Sequence, residues 1–191
     1  MKKIAILASG NGSNFEVIRQ KIVDGELQAE IVLVFSDQPS AFVLERAKQH
    51  QLPYATFSPK EFASKAAYEQ RLLELLVECE VDMLILAGYL RILGSDVIQA
   101  FPNKIINIHP SLLPEYPGLR SIERAYQDGQ QVTGVTIHYV DEGLDTGPII
   151  RQASLTIDPS ESLAQLEERV HQLEHQLYPE ALQQLLNKEL N

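Results

Sequence analysis

Between Ile4 and Ile108 short apolar runs alternate with stretches whose apolar residues recur every three or four positions, and few folds accommodate that alternation. Ile4 to Ala8, Ile31 to Phe35, Tyr54 to Phe57, Met83 to Ala87 and Ile105 to Ile108 are brief and almost unbroken, as strands covered on both faces must be. The segments between them read as helices. Ser13 to Val23 carries Phe15, Ile18 and Ile22 at helical spacing, Ala41 to His50 follows the second strand, and Ser95 to Ala100 precedes the last. A long helix from about Lys60 to Glu80 places Tyr68, Leu72, Leu75, Leu76 and Cys79 on one stripe. Strands alternating with helices predict an α/β fold: a Rossmann-like open sheet, parallel in this half, with helices on both faces.

The second half changes character. Arg120 to Gln127 reads as a helix, and the strands Val132 to Val140 and Ile149 to Ile157 lie close enough to pair antiparallel. Leu163, Leu166, Val170, Leu173 and Leu177 mark a final amphipathic helix, which is expected to break near Pro179 and resume through Leu182, Leu185 and Leu186. No repeat or low-complexity linker divides the 191 residues, so one domain is expected over 1–191. Within it, 1–100 would form a phosphate-binding mononucleotide half, and 101–191 a catalytic half with the terminal helix.

Charge narrows the partners. With 26 acidic and 16 basic residues the formal net charge is −10, which disfavours nucleic acid, since its backbone is held by clustered Lys and Arg. A small anion would need a local positive site. No apolar run reaches the roughly 18 residues of a membrane span, and the single cysteine, Cys79, excludes an internal disulfide and fits a small core residue. A cytoplasmic protein is expected.

Two polar features interrupt this framework. Ser9-Gly10-Asn11-Gly12-Ser13-Asn14 joins the first strand to the first helix, where glycines permit a tight turn and the helix start offers free N–H groups to a phosphate. Phe15 stands where a dinucleotide fingerprint needs its third glycine, and no Lys follows Gly12 as a P-loop requires. Asp37, after the second strand, imitates the acid that binds ribose in that fingerprint. The alternatives are a phosphorylated small ligand or an ordinary turn capped by Ser13. The second feature is Asn107-Ile108-His109-Pro110, answered by Asp145 in Asp141-Glu142-Gly143-Leu144-Asp145-Thr146-Gly147-Pro148. Residues two apart in a strand share a face, so Asn107 and His109 project together, and Pro110 keeps His109 extended. An amide donor beside an imidazole suits chemistry in which a carbonyl oxygen gains charge and protons move, or else it is a polar strand end. The loops after the strands lie at the carboxyl end of the sheet, where open parallel sheets bind ligands.

Asn-x-His-Pro-Ser-Leu-Leu-Pro, the later Asp-x-Gly-x-Asp-x-Gly-Pro and Ser-Gly-Asn-Gly-Ser-Asn together resemble the folate-dependent formyltransferases, from about Ile4 to Pro179. The resemblance implies transfer of a formyl group from 10-formyltetrahydrofolate, as co-substrate, to the amine of 5-phosphoribosylglycinamide in purine biosynthesis. It implies Asn107, His109 and Asp145 as the catalytic trio, and Gly12, Ser13, Asn14 and Glu174 around the ribonucleotide. It implies Leu90, Arg91, Ile92, Leu93, Asn107 and Asp141 around the folate. Lys65 falls where the family commonly has an Arg near the folate tail; Lys keeps the charge but loses bidentate pairing. Arg120 and Ile122 depart from a frequent His-x-His pattern and receive no role. Asp145 would orient His109, and neither a metal nor a covalent intermediate is required, although Glu142, Asp145 and His109 include metal-ligating types. The partners expected are small molecules, with the chain a monomer or homodimer.

Rival readings are a 10-formyltetrahydrofolate hydrolase, a methionyl-tRNA formyltransferase or a non-catalytic nucleotide-binding module. The first two usually carry an additional regulatory or RNA-binding domain, which is not expected here. Of the remaining histidines, His138 suits a structural hydrogen bond or a ligand contact. His171 and His175, four apart, suit a metal or a solvated helix face. Arg91 suits either a pairing with a nearby acid or a plain surface charge.

Overall fold

The computed structural model describes residues 1–188. Its strands are β1 (Lys2–Leu7), β2 (Ala29–Ser36), β3 (Tyr54–Thr56), β4 (Met83–Leu86), β5 (Ile105–His109), β6 (Val132–Tyr139) and β7 (Ile149–Thr156). The helices are α1 (Ser13–Val23), α2 (Phe42–Gln49), α3 (Lys65–Glu78), α4 (Ser95–Ala100), α5 (Ser121–Gln127) and α6 (Leu163–Lys188). The seven strands form one sheet in the order β3-β2-β1-β4-β5-β6-β7. β3, β2, β1, β4 and β5 run parallel, β6 reverses against β5, and β7 reverses against β6. The expected mixed sheet is therefore present.

Each sheet face has its own apolar layer. On one side Phe15 and Ile18 of α1, Val43 of α2, Ile122 of α5 and Leu166, Val170 and Tyr178 of α6 cover Ile4, Ile6, Ile85 and Ile106. On the other, Tyr68, Leu72 and Leu76 of α3 with Val97 of α4 cover Ala5, Leu7, Leu84 and Ile105. All four residues of β4 are buried, which is why that run shows no polar alternation.

Two expected helices differ in extent. The segment Lys60 to Glu80 is a short 3₁₀ turn over Pro59–Glu61 followed by α3 alone. Ser58 and Glu61 close a capping box on the turn, and Ser64 Oγ accepts the Ala67 N–H at 3.1 Å to start the helix. These serine caps interrupt a periodicity that apolar spacing reads as continuous. The break expected near Pro179 does not occur, because α6 continues through it to Lys188. Pro179 offers no N–H to the preceding turn. The flanking Leu177, Tyr178, Ala181, Leu182 and Leu186 are all buried, so tertiary packing holds the helix across that gap.

Tyr178 ties this helix to two central strands, at the last residue of β4 and the second of β5. Its hydroxyl donates to the carbonyl oxygens of Leu86 at 2.8 Å and Ile106 at 3.1 Å. Tyr178→Phe removes the only donor in that buried trio and should lower unfolding free energy by about 1–2 kcal/mol. Urea denaturation followed by circular dichroism measures it; an unchanged midpoint would show that the bridge contributes nothing.

Candidate active site

β5 presents Asn107 and His109 on one face, and its antiparallel neighbour sets a third polar side chain beside them, since Asn107 is paired in register with His138. His138 Nδ1 lies 2.8 Å from the Tyr139 carbonyl oxygen, so that nitrogen carries the proton. Its Nε2, 3.2 Å from Asn107 Nδ2, is then the acceptor, and the Asn107 amide donates to it. Burial lowers the His138 pKa and keeps the ring neutral, which preserves this polarity. One N–H of Asn107 is thus fixed toward His138, and the other remains available to a reacting oxygen.

His109 is buried, with Nε2 at 2.8 Å from the Tyr116 carbonyl oxygen and Nδ1 at 3.5 Å from Asp145 Oδ2. A carbonyl can only accept, so Nε2 donates, and Nδ1 is left as the nitrogen that can take up or release a proton. The Asp145 carboxylate lies beside that nitrogen. The same carboxylate accepts the Gly118 N–H at 2.7 Å, which ties the segment after Pro114 to the His109–Asp145 pair.

The second motif now has a physical reason. Asp141 Oδ1 accepts the Gly143 N–H at 3.0 Å and the Thr146 hydroxyl at 2.7 Å, and so folds the loop on itself. A Cβ on Gly147 would lie 1.7 Å from the Tyr139 carbonyl oxygen, so no side chain fits where the loop rejoins the sheet. Asp145, between these anchors, has φ 53°, in the left-handed region.

At the end of β1 the glycine loop turns into α1. Gly12, not Ser13, is the N-cap, with φ 77° and no side-chain cap bond. A Cβ there would approach Val43 Cγ2 to 2.6 Å. Gly10 accepts the Val43 N–H at 3.0 Å, and Arg46 holds both the carbonyl and the side-chain oxygen of Asn11 at 2.9 Å. The loop is therefore built before any ligand arrives. Asn14 is 9 % exposed, and its Oδ1 has no hydrogen-bond partner among the described residues.

Beyond β4, residues 88–94 form the facing wall. Tyr68 and Tyr89 hydroxyls meet at 2.7 Å and Glu69 accepts the Gly94 N–H at 3.1 Å, so α3 fastens both ends of this segment. Ser9 Oγ accepts the Leu90 N–H at 3.0 Å and donates to Asp37 at 2.6 Å. Arg91 reaches the same carboxylate at 2.7 Å, which settles its pairing and shows Asp37 supporting that wall.

These segments surround one cavity of about 1030 Å³, open to solvent. Every site residue expected from the sequence lines it except Lys65, which stands at the first turn of α3. Glu174 of α6 closes the glycine-loop end, buried, with its Oε2 at 2.8 Å from His171 Nδ1. Among the described residues no cluster of His, Cys, Asp and Glu side chains could hold a metal ion.

Residues 2–182 match the family model described as formyl transferase. The chain belongs to the formyl transferase family. It is 48 % identical over 186 residues to phosphoribosylglycinamide formyltransferase of Bacillus subtilis, covering 97 % of this chain and 95 % of that one. It is 40 % identical to the trifunctional purine biosynthetic protein adenosine-3 of Drosophila melanogaster, covering 97 % of this chain and 14 % of that one. Among solved structures, phosphoribosylglycinamide formyltransferase from Bacillus halodurans superimposes with TM-score 0.96 at 46 % identity, covering 98 % of this chain and 97 % of that one.

Within this formyl transferase, sequence reasoning left His138 between two roles and passed over the Tyr116 carbonyl. The register of β5 and β6 would have exposed the first; no sequence signal marks the second. His138→Ala should leave the Asn107 amide free to rotate and lower kcat by about tenfold, with the substrate KM values little changed. Steady-state kinetics tests it, and a kcat equal to wild type would remove His138 from the site's geometry.

Proposed function

We propose that this formyl transferase moves the formyl group of 10-formyltetrahydrofolate to the amine of 5-phosphoribosylglycinamide, in de novo purine synthesis. The observation that carries the proposal is convergence: Asn107, His109 and Asp145 meet in the same cavity as the anion-ready glycine loop. The names of the relatives support it. The loop of Gly12, Ser13 and Asn14 takes the phosphate, and Glu174 accepts from the ribose hydroxyls. Segment 90–93, with Asp141 nearby, reads the pterin through backbone groups and the exposed Leu90 and Ile92 side chains. Lys65 serves the outer folate tail only if its long side chain swings toward the cavity.

The amine attacks the formyl carbon directly and yields a tetrahedral intermediate. Asn107 donates its free N–H to the oxyanion, worth roughly 100- to 1000-fold in sites of this kind. His109 Nδ1 carries the proton from the attacking amine to the departing folate nitrogen, typically worth ~100- to 10000-fold, while Asp145 stabilises the imidazolium between the two steps. The lone cysteine fits a cytoplasmic setting.

A folate assay run with and without the ribonucleotide should show turnover only in its presence; equal turnover without it would make the protein a hydrolase. His109→Ala should keep ribonucleotide affinity and lose at least about 100-fold in kcat. Full activity in that variant would remove histidine from the proton path.

A further inference from the structure

The proposed phosphate end of the cavity is short of fixed positive charge. No lysine lines the cavity among the described residues, and its two arginines are already held, Arg91 by Asp37 at 2.7 Å and Arg120 by Glu123 at 2.6 Å. Imidazoles stand there instead. His171 and His175 both line the cavity from α6, and His175 Nε2 lies 3.1 Å from Ser13 Oγ, on the first residue of α1.

That contact has two chemical forms. With a bare Nε2, the ring accepts the Ser13 hydroxyl proton, and the hydroxyl offers an incoming anion only lone pairs. With a proton on Nε2, which the neutral ring carries in one of its two tautomers and the imidazolium always carries, the ring donates to Ser13 Oγ, and the hydroxyl proton can point into the cavity. Phosphate oxygens only accept, so a bound phosphomonoester selects the second form.

We propose that His175 is the positioning residue of the ribonucleotide end: its Nε2–H turns the Ser13 hydroxyl toward the phosphate, so phosphate affinity is coupled to protonation of His175. The proposal rests on the reading of the glycine loop as the phosphate site.

The surroundings set the sign. Burial lowers the His175 pKa in the free protein, His171 lowers it further, and Glu174 opposes both. His171 is itself pushed up, chiefly by its hydrogen bond to Glu174. Of the elements packed against α6, α1 presents neutral Ser13 and Asn14, α5 presents Glu123 and β6 presents His138. β7 presents Arg151, paired with Glu180 at 2.9 Å. A dianion beside the ring favours imidazolium, so the bound state holds its proton to higher pH than the free state. Affinity therefore rises as pH falls through the bound-state value and levels off below the free-state value. It declines again below about pH 6, where the phosphate takes its own second proton.

Calorimetric titration of the full chain with ribose 5-phosphate tests this. Wild type should bind about three- to tenfold more tightly at about pH 6.5 than at about pH 8. His175→Gln, which can donate an uncharged N–H to Ser13 at any pH, should bind with an affinity between the wild-type values at about pH 6.5 and about pH 8, and lose the response to pH. In wild type, the His175 ring followed by NMR should titrate at higher pH with the ligand than without it. A wild-type pH response in His175→Gln, or identical ring titrations with and without ligand, overturns the inference. The phosphate reading then still stands if Ser13→Ala and Asn14→Ala weaken binding. If both of those variants bind as wild type does, the loop assignment fails, and the role of His175 fails with it.

Discussion

From β1 the chain winds outward through β2 to β3, then returns to place β4 on the other side of β1. The loops leaving β1 and β4 therefore diverge over opposite faces of the sheet, and a crevice is left between them. Every site residue expected from the sequence except Lys65 borders that crevice. The loops are joined at its floor, where the Ser9 N–H donates to the Gly88 carbonyl at 2.9 Å. The next strand along, β5, points Asn107 and His109 into the same opening. Reversal of β6 is equally necessary, because it brings His138 opposite Asn107, and the hairpin to β7 returns Asp145 over His109.

Polarity is assigned in this site largely by groups that cannot change theirs. The Tyr139 carbonyl decides which nitrogen of His138 bears hydrogen, and through that ring which way the Asn107 amide faces. The Tyr116 carbonyl does the same for His109. Backbone carbonyls have no alternative protonation state, so the donors and acceptors are ordered before substrate binds, which is what makes electrostatic stabilisation effective. The price appears as tight turns: Tyr116, Arg120 and Asp145 all adopt positive φ without being glycine.

Much of this was legible in the chain. Buried runs gave away the strands because strands covered on both faces tolerate few polar residues. Asn107 and His109 were legible as a pair because their spacing guarantees a common face. Helix limits were harder: Ser58 and Ser64 cut one apolar stripe into a turn and a helix, and burial on both sides of Pro179 carried another through a residue that usually ends one. Three-dimensional partners were beyond reach. Asp37 resembled a ribose acid by its position after β2, yet it serves Ser9 and Arg91; only the convergence of three separate segments reveals that. Ser13 looked like a cap, but the turn places Gly12 there and frees the hydroxyl to face α6.

The unbroken course of α6 has a mechanical meaning. Glu174 and His175 sit one turn from Tyr178, whose hydroxyl grips the last residue of β4 and the second of β5. A continuous helix pinned so close to the sheet has little room to swing, so one side of the crevice behaves as an anvil. Across the crevice the rim is apolar instead, with Leu90, Ile92 and Leu144 exposed to water.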